Sequence, residues 1–282
     1  MGYVTTTQLY TVRGETYAVT DTGGSGPAVL LMHGWPDDRS LWREVLPRVG
    51  AAGYRVVSVD WIGHGESSKP KNRKRYRIPE LGRDLDALLD ALKIEKCHLV
   101  AHDYGATVCW EFAALYPHRL HSYCALSVGP SIEILKDVLG GNLFRYHWLA
   151  LHGLDRLSRW VYLRRNKRRF RQKFASHPDA NRILERLAPG QDRTFWTIWE
   201  KANPAHDVSW RWFVSGRKHK VQVPTFGLYS DGDEWMTMGQ LRRGGRHVAA
   251  TWRFEVISGG HWFPLEQSEE VAIRIMQWLH RL

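Results

Sequence analysis

The stretch CHLVAHDYGATVCWEFAALYP, residues 97–117, constrains the fold of this chain more than any other. It is typical of a short apolar strand, a tight turn and a helix, with Asp103 at the tip of the turn. A strand that reverses directly into a helix crowds its neighbours, so small residues are needed there, and Ala101, Gly105 and Ala106 supply them. We therefore expect a strand–turn–helix unit that presents a carboxylate at the start of its helix.

The position of Asp103 suggests a chemical role for that carboxylate. The N-terminus of a helix favours an anion, so Asp103 should stay ionised at neutral pH. An ionised carboxylate can act as a nucleophile without a neighbouring base, whereas a serine at the same point requires one. The alternative is that Asp103 only caps its helix.

The rest of the chain alternates strand and helix patterns. Repeated alternation of this kind predicts an α/β fold, a doubly wound and mostly parallel sheet. LYTV and TYAVT near the start predict an antiparallel edge hairpin. The predicted buried strands are AVLLM (28–32), RVVSVD (55–60), CHLVAH (97–102), SYCALSV (122–128), TFGLY (225–229) and RFEVI (253–257), and the predicted helices are 39–50, 78–93, 104–116, 237–248 and 266–281.

The alternation is interrupted between the fourth and fifth of these strands. We therefore predict a core of residues 1–130 and 221–282 with a helical cap, or lid, of residues 131–220. Ligands of open α/β sheets bind beyond the carboxyl ends of the strands, so such a cap would roof the site. The cap is rich in tryptophan, with Trp148, Trp160, Trp196, Trp199, Trp210 and Trp212.

The net charge of +11 is concentrated in the predicted cap. Residues 131–220 hold 19 lysines and arginines against 8 acidic residues, while the remainder holds 21 of each. A second basic cluster is KPKNRKRYR, residues 69–77. Such charge indicates either solvated helix faces or attraction to an anionic partner. Since no nucleic-acid-binding motif accompanies it, we expect no nucleic-acid partner.

Other sequence signals narrow the class of protein. Cys97, Cys109 and Cys124 lie in apolar patterns without metal-ligand spacing, which indicates reduced core thiols and a cytoplasmic location. No apolar run is long enough for a membrane span. No metal, nucleotide or flavin motif occurs, so no cofactor is expected. The oligomeric state is left open between monomer and homodimer.

Three further segments supply possible partners for Asp103. HGWP (33–36) follows a predicted strand, and the N–H of Trp35 could form an oxyanion hole with that of Tyr104. SGGHWFPLE places His261 just beyond the last strand. YSDGDEW follows the preceding strand and offers Asp233, with Asp231 as the alternative, as the carboxylate that orients the histidine.

Together these motifs resemble those of the α/β-hydrolase superfamily, and more narrowly its epoxide hydrolase and haloalkane dehalogenase branch, whose nucleophile is an aspartate. The resemblance covers residues 10–130 and 221–282 well and the insertion poorly. It implies a catalytic triad of Asp103, Asp233 and His261, in the chain order of that superfamily. The motifs that carry it are HGWP, DWIGHGESSKP, VAHDYGATVCW, ALSVGPS, VPTFGLYSDGD and GGHWFPLEQSEEV.

The branch divides according to the leaving group. An epoxide leaves as an alkoxide that needs a proton, which epoxide hydrolases take from lid tyrosines, and Tyr146 in FRYHWLAL lies near the first of these. The stretch resembling the second reads SWRW (209–212) and has no tyrosine. Tyr146 could also simply pack in the lid.

The alternative hypothesis is that the chain resembles the dehalogenases of the same branch. His147 and Trp148 resemble the halide-binding pair of fluoroacetate dehalogenases. That family follows its nucleophile with a carboxylate-binding arginine, and haloalkane dehalogenases commonly place tryptophan there. Here the residue is Tyr104, which fits neither.

We therefore predict an epoxide hydrolase-like enzyme that forms an alkyl ester on Asp103 and hydrolyses it with water activated by His261. The alternatives are a hydrolytic dehalogenase, another aspartate-dependent hydrolase, and a non-catalytic ligand-binding protein of the same fold. The expected substrate is a partly apolar small molecule, with or without an acidic group, bound in part by Trp35 and Trp148.

Overall fold

Eight strands of the described chain form one sheet: β1 (Thr6–Val12), β2 (Glu15–Asp21), β3 (Ala28–Met32), β4 (Arg55–Val59), β5 (Cys97–His102), β6 (Leu120–Leu126), β7 (Thr225–Ser230) and β8 (Trp252–Ile257). The computed structural model describes residues 6–142, Tyr146, Gln172, 174–186, Ala202, Asn203 and 220–282. The first two strands form an antiparallel hairpin, β2 pairs antiparallel with β4, and all later pairs are parallel. Across the sheet, the strands lie in the order β1-β2-β4-β3-β5-β6-β7-β8. The predicted fold class is confirmed.

Helices cover both faces of the sheet, which explains the continuous apolar strands. In β3, Val29 and Leu31 join one apolar cluster while Leu30 and Met32 join the other, because successive side chains point to opposite faces. One cluster includes residues of α2 (Ile78–Ala91) and α3 (Tyr104–Leu115), and the other includes residues of α1 (Val45–Ala51) and α8 (Ser268–Leu279). The α-helices are α1 (Val45–Ala51), α2 (Ile78–Ala91), α3 (Tyr104–Leu115), α4 (Ser131–Leu139), α5 (Ala180–Arg186), α6 (Met238–Arg242), α7 (Phe263–Glu266) and α8 (Ser268–Leu279).

The predicted helix 237–248 was too long. The α-helix ends at Arg242 and the chain continues as a 3-10 helix over Arg243–His247. This second segment contains Gly244 and Gly245, and glycine is a poor α-helix former. The segment 39–50 is divided in the same way, into a 3-10 helix over Arg39–Trp42 and α1.

Some basic side chains of the described residues are exposed to solvent, and others form ion pairs with buried carboxylates. In the cluster 69–77, Lys71, Arg73 and Lys74 are exposed, whereas Arg75 bonds to the buried Asp84. In α5, basic side chains also pair with a buried carboxylate, since Arg182 lies 2.9 Å from Asp38 in the loop after β3. The division into core and cap, and attraction of an anionic partner, both stay predictions.

No described helix has the length and apolar character that crossing a membrane requires. Cys97, Cys109 and Cys124 are buried and free of disulfides.

Candidate active site

Asp103 occupies a strained turn between β5 and α3. Its backbone has φ 51° and ψ −124°, a conformation that L-residues adopt only where the surrounding structure imposes it. The turn passes so close to the HGWP loop that a Cβ on Gly34 would lie 2.4 Å from that of Asp103. A Cβ on Gly105 would lie 2.4 Å from the carbonyl oxygen of His33. Glycine is therefore required on both sides of the contact that brings this loop to Asp103.

Main-chain N–H groups hold the Asp103 carboxylate. The N–H of Trp35 donates to Oδ1 at 2.9 Å, and the N–H of Tyr104 also hydrogen-bonds to the carboxylate. Burial favours the neutral acid, but the bond and charge of His261, the N–H of Tyr104 and neighbouring His102 lower the pKa of Asp103. The carboxylate is thus ionised at neutral pH. The two N–H groups predicted from the sequence lie beside it.

His261 lies between two carboxylates. Its Nε2 is 3.5 Å from Oδ2 of Asp103, and its Nδ1 is 2.9 Å from Oδ2 of Asp233. The side chain is 3% exposed. Burial disfavours the imidazolium, but the charges of Asp233 and Asp103 outweigh it and raise the pKa of His261 to about 10. With both carboxylates ionised, the side chain of His261 is therefore a positively charged imidazolium before substrate reacts.

The geometry distinguishes between the two candidate acids after β7. Asp233 is buried, and its Oδ1 accepts the N–H groups of Trp235 at 2.8 Å and Met236 at 2.9 Å. Asp231 is exposed and lies 3.4 Å from the hydroxyl of Ser258. Burial raises the pKa of Asp233, but the charge and hydrogen bond of His261 exceed that effect and lower it. The orientation of His261 is therefore tied to Asp233.

Ser127, beyond the end of β6, is a site residue that the sequence analysis missed. Its hydroxyl donates to Oδ2 of Asp233 and lies 3.4 Å from Nδ1 of His261. Its φ of 68° is held by Gln240, whose side chain donates to the carbonyl of Ser127 at 2.7 Å and accepts the N–H of Gly129. The motif ALSVGPS marked this position, and its place at a strand's carboxyl end was the available signal.

His102, directly before Asp103, was also missed. Its Nε2 lies 2.9 Å from the main-chain carbonyl oxygen of His261, so Nε2 carries the proton of this bond. Burial and the neighbouring His261 lower the pKa of His102 to about 4. The neutral ring therefore anchors the loop that carries His261.

Comparison with known proteins identifies the family. A sequence profile of the family described as alpha/beta hydrolase fold matches residues 27–268. The chain belongs to this family.

The relatives of this α/β-hydrolase include proteins named as epoxide hydrolases. Bifunctional epoxide hydrolase 2 of Sus scrofa is 24% identical over 290 residues, which cover 91% of this chain and 52% of that protein. The chain thus spans about half the length of this relative. Epoxide hydrolase A of Mycobacterium tuberculosis is 26% identical over 312 residues, which cover 97% of each chain.

A solved structure supports the fold. The crystal structure of epoxide hydrolase A from Mycobacterium thermoresistibile matches with a TM-score of 0.76 at 23% identity, covering 98% of both chains. The α/β-hydrolase fold expected from the motifs is confirmed.

Aromatic rings enclose the buried side of the α/β-hydrolase site. The ring of Phe174 lies 5.8 Å from that of Trp35, 5.6 Å from that of Trp235 and 5.8 Å from that of Trp262. The last two lie 6.0 and 5.2 Å from the ring of His261. Trp35 is thus part of an apolar wall, while Trp148 falls outside the described residues.

Tyr146, the predicted proton donor, is buried between α4 and the start of α6. Its hydroxyl lies 3.3 Å from Oγ1 of Thr237 and 3.4 Å from Oδ2 of Asp137. Burial raises the pKa of Tyr146 to about 12. The Asp137 carboxylate is itself paired with Arg243. Tyr146 is therefore anchored to the core, and its role as an acid stays a prediction, while His147 and SWRW lie outside the described residues.

Among the described residues, no group of three or more histidine, cysteine or acidic side chains could hold a metal ion.

Proposed function

We propose that this protein is an epoxide hydrolase that converts an epoxide to a diol through an ester on Asp103. One observation carries the proposal: Oδ1 of Asp103 accepts the N–H of Trp35, while Oδ2 faces Nε2 of His261. A carboxylate held this way has one oxygen prepared for negative charge and the other beside the imidazole that acts as the base once the ester has formed. The names of the sequence relatives support the same chemistry.

In the first half-reaction, the Asp103 carboxylate attacks a carbon of the epoxide. The C–O bond of the ring breaks, an ester forms, and the departing oxygen takes a proton. We assign that proton to Tyr146 by its resemblance to a lid tyrosine of epoxide hydrolases. The low pKa of Asp103 keeps the nucleophile ionised.

In the second half-reaction, His261 removes a proton from water, which attacks Cγ of the ester. The resulting oxyanion would be stabilised by the N–H groups of Trp35 and Tyr104, by about 3 kcal/mol for each donor. Esterification removes the charge of Asp103, one of the two anions that raise the pKa of His261. The imidazolium can then release its proton to solvent, and the neutral ring accepts one from the attacking water while Asp233 stabilises the imidazolium that forms. When the oxyanion collapses, the bond between Cγ and the substrate oxygen breaks, that oxygen takes the proton from His261, and the diol leaves with the Asp103 carboxylate restored.

The apolar wall supports a partly apolar substrate, contacted by Trp35 and, by sequence position, Trp148. An acidic group on it would be attracted by the basic charge of residues 131–220. The proposed reaction consumes the epoxide and one water molecule and requires no cofactor. A cytoplasmic location is supported by the three free cysteines. The assembly stays, as predicted, a monomer or a homodimer.

A single-turnover reaction in heavy-oxygen water tests the mechanism. Excess protein is mixed with aryl and alkyl epoxides, and peptide mass spectrometry locates the label. Attack of water on the ester puts the heavy oxygen into the Asp103 carboxylate and leaves the first diol unlabelled. Label found in the diol alone would show direct attack by water and exclude the ester.

Two variants complete this test. His261→Gln should accumulate the ester, detected as a mass increase on the peptide that contains Asp103, and Asp103→Ala should form none. Chloroalkanes and bromoalkanes are included in the panel, and halide release without epoxide opening would identify a dehalogenase instead. Ligand binding that survives in Asp103→Ala, without turnover of any compound by the wild type, would identify a binding protein.

A further inference from the structure

Residues 174–186, which include α5, contact the loop that follows β3 through their charged and polar side chains. Arg43 bonds to Asp179 at 2.7 Å, on the surface. Arg182 and Arg186 both reach Asp38. The most buried of these contacts joins His177 to Asp37, whose side chains are 0% and 1% exposed.

The hydrogen bonds of His177 determine which nitrogen is the donor. The main-chain N–H of Asp179 donates to Nδ1 at 2.8 Å, so Nδ1 is an acceptor. Nε2 lies 3.0 Å from Oδ1 of Asp37, a carboxylate oxygen that accepts. The ring therefore donates through Nε2 to Asp37. The other oxygen of Asp37 has no hydrogen-bond partner among the described residues.

Asp37 closes the turn that presents the oxyanion-hole N–H. Its N–H donates to the carbonyl of Gly34 at 3.1 Å, and its carbonyl accepts from Nδ1 of His64 at 3.0 Å. Between Gly34 and Asp37 lies Trp35, whose N–H reaches Asp103. A movement of the Asp37 side chain would therefore be transmitted through a tight turn to this N–H.

We propose that His177 is a positioning residue for the oxyanion hole. By holding the carboxylate of Asp37, it keeps the N–H of Trp35 on Asp103 and so promotes hydrolysis of the ester. This role rests on the function proposed above. A buried carboxylate deprived of its donor must find water or another partner, and either requires the turn to move.

Two variants of His177 distinguish the effect of its hydrogen bond to Asp37 from the effect of having any polar side chain at this position. His177→Asn can still accept the N–H of Asp179 but is too short to reach Asp37. In His177→Gln, the amide nitrogen takes the place of Nε2 and can donate to Asp37. We expect His177→Asn to impair the oxyanion hole and His177→Gln to restore most of its function.

The first measurement needs no substrate. The Trp35 amide is followed by NMR in protein labelled with 15N-tryptophan, its signal assigned with Trp35→Phe. Its exchange with deuterium should become about tenfold faster in His177→Asn, the change expected from loss of one buried hydrogen bond, and stay near the wild-type rate in His177→Gln. Equal protection in all three proteins would overturn the inference.

The second measurement follows the reaction. In His177→Asn, kcat should fall by about tenfold, less than the 10²–10³ lost on removing a donor outright. KM should fall as well, because slower hydrolysis lets the ester accumulate, and intact-mass spectra at steady state should show that ester. A fall in kcat without ester accumulation would count against a role in hydrolysis.

Two more variants serve as controls for the effect of His177→Asn. Arg43→Ala breaks a neighbouring surface contact of the same segment and should leave both amide exchange and ester accumulation unchanged. Asp37→Ala removes the link between His177 and the turn from the other side, so the Trp35 N–H should again become less protected and the ester should accumulate. This variant replaces His177→Asn as the test if His177→Asn does not fold. If the wild type opens no epoxide, the proposed function fails, while amide exchange still decides whether His177 holds the turn.

Discussion

The hydroxyl of Ser127 donates a hydrogen bond to Oδ2 of Asp233. The same oxygen lies 2.9 Å from Nδ1 of His261, so the serine holds in place the atom that orients the histidine. Burial favours the neutral form of Asp233, and this bond is one of the contacts that lower its pKa instead.

Replacing Ser127 with alanine tests this relationship. We expect kcat/KM to fall by about tenfold and the free energy of unfolding to fall by about 1–2 kcal/mol at pH 7, since a hydrogen bond to a buried charge is lost. Steady-state kinetics and chemical denaturation measure the two effects. Ser122→Ala is the matched control, because it removes a buried hydroxyl of β6, the strand that Ser127 follows, and that hydroxyl is bonded to His98 of β5. It should reduce stability alone, and equal loss of turnover in both variants would contradict the prediction.

The two acids after β7 should behave very differently. Asp233→Asn removes the charge that stabilises the imidazolium, and kcat should fall by about 10³–10⁴-fold, the loss that follows replacement of the aspartate in the catalytic triads of serine proteases. Asp231→Asn changes an exposed side chain and should leave kcat within about twofold, as expected of a surface substitution. Kinetics of both variants with one epoxide decides the matter, and the reverse order of effects would assign the role to Asp231.

The raised pKa of His261 predicts that the protein becomes less stable as the pH rises. Because the folded-state pKa is raised to about 10, the stability contributed by the imidazolium is fully present below the unfolded pKa, near 6.5. It is lost as the pH rises from that value through about 10. The free energy of unfolding of the wild type should therefore decline, relative to His261→Gln, across this window.

The source of this high pKa can be tested separately. Asp103→Asn removes one of the two anions beside His261, so its pKa should fall, which NMR titration of the ring nitrogens would show. Asp231→Asn, whose carboxylate is exposed, should leave it unchanged. An unaltered pKa in Asp103→Asn would mean that Asp233 alone keeps the proton on His261.

Tyr146→Phe tests the source of the proton in ring opening. Loss of a general acid should slow ester formation from an epoxide by about 100-fold and leave ester hydrolysis unchanged. Stopped-flow single turnovers separate the two steps. Tyr123→Phe is the control, since its buried hydroxyl donates to the carbonyl of Ala106 within the core. Unchanged ester formation in Tyr146→Phe would leave this tyrosine the anchoring role that its contacts with Asp137 and Thr237 describe.

The sequence predicted best what depends on local pattern. The turn around Asp103, the HGWP loop and the strand preceding His261 are short segments whose small residues and apolar runs limit the backbone to one arrangement. The sheet then brings their ends together, because β3 and β5 are adjacent and parallel.

Contacts between side chains that lie far apart in the chain could not be predicted from local sequence patterns. The bond from Ser127 to Asp233 joins residues 106 apart in the chain, and that from His177 to Asp37 joins residues 140 apart. A serine or a histidine has ordinary uses on any surface, and only the folded arrangement gives these two their partners. The division at Arg242 was missed for another reason, since the helical pattern continues through glycines that end the α-helix.

The register of the central strands has a consequence for how such a site could change. Met32 lies beside Ala101, so the chain leaves β3 and β5 at the same level, and the group that reaches Asp103 is the main chain of Trp35. Any residue except proline would supply that N–H, whereas the indole of Trp35 faces Phe174. Replacement of the side chain at position 35 can therefore reshape the apolar wall and leave the N–H that reaches Asp103 in place.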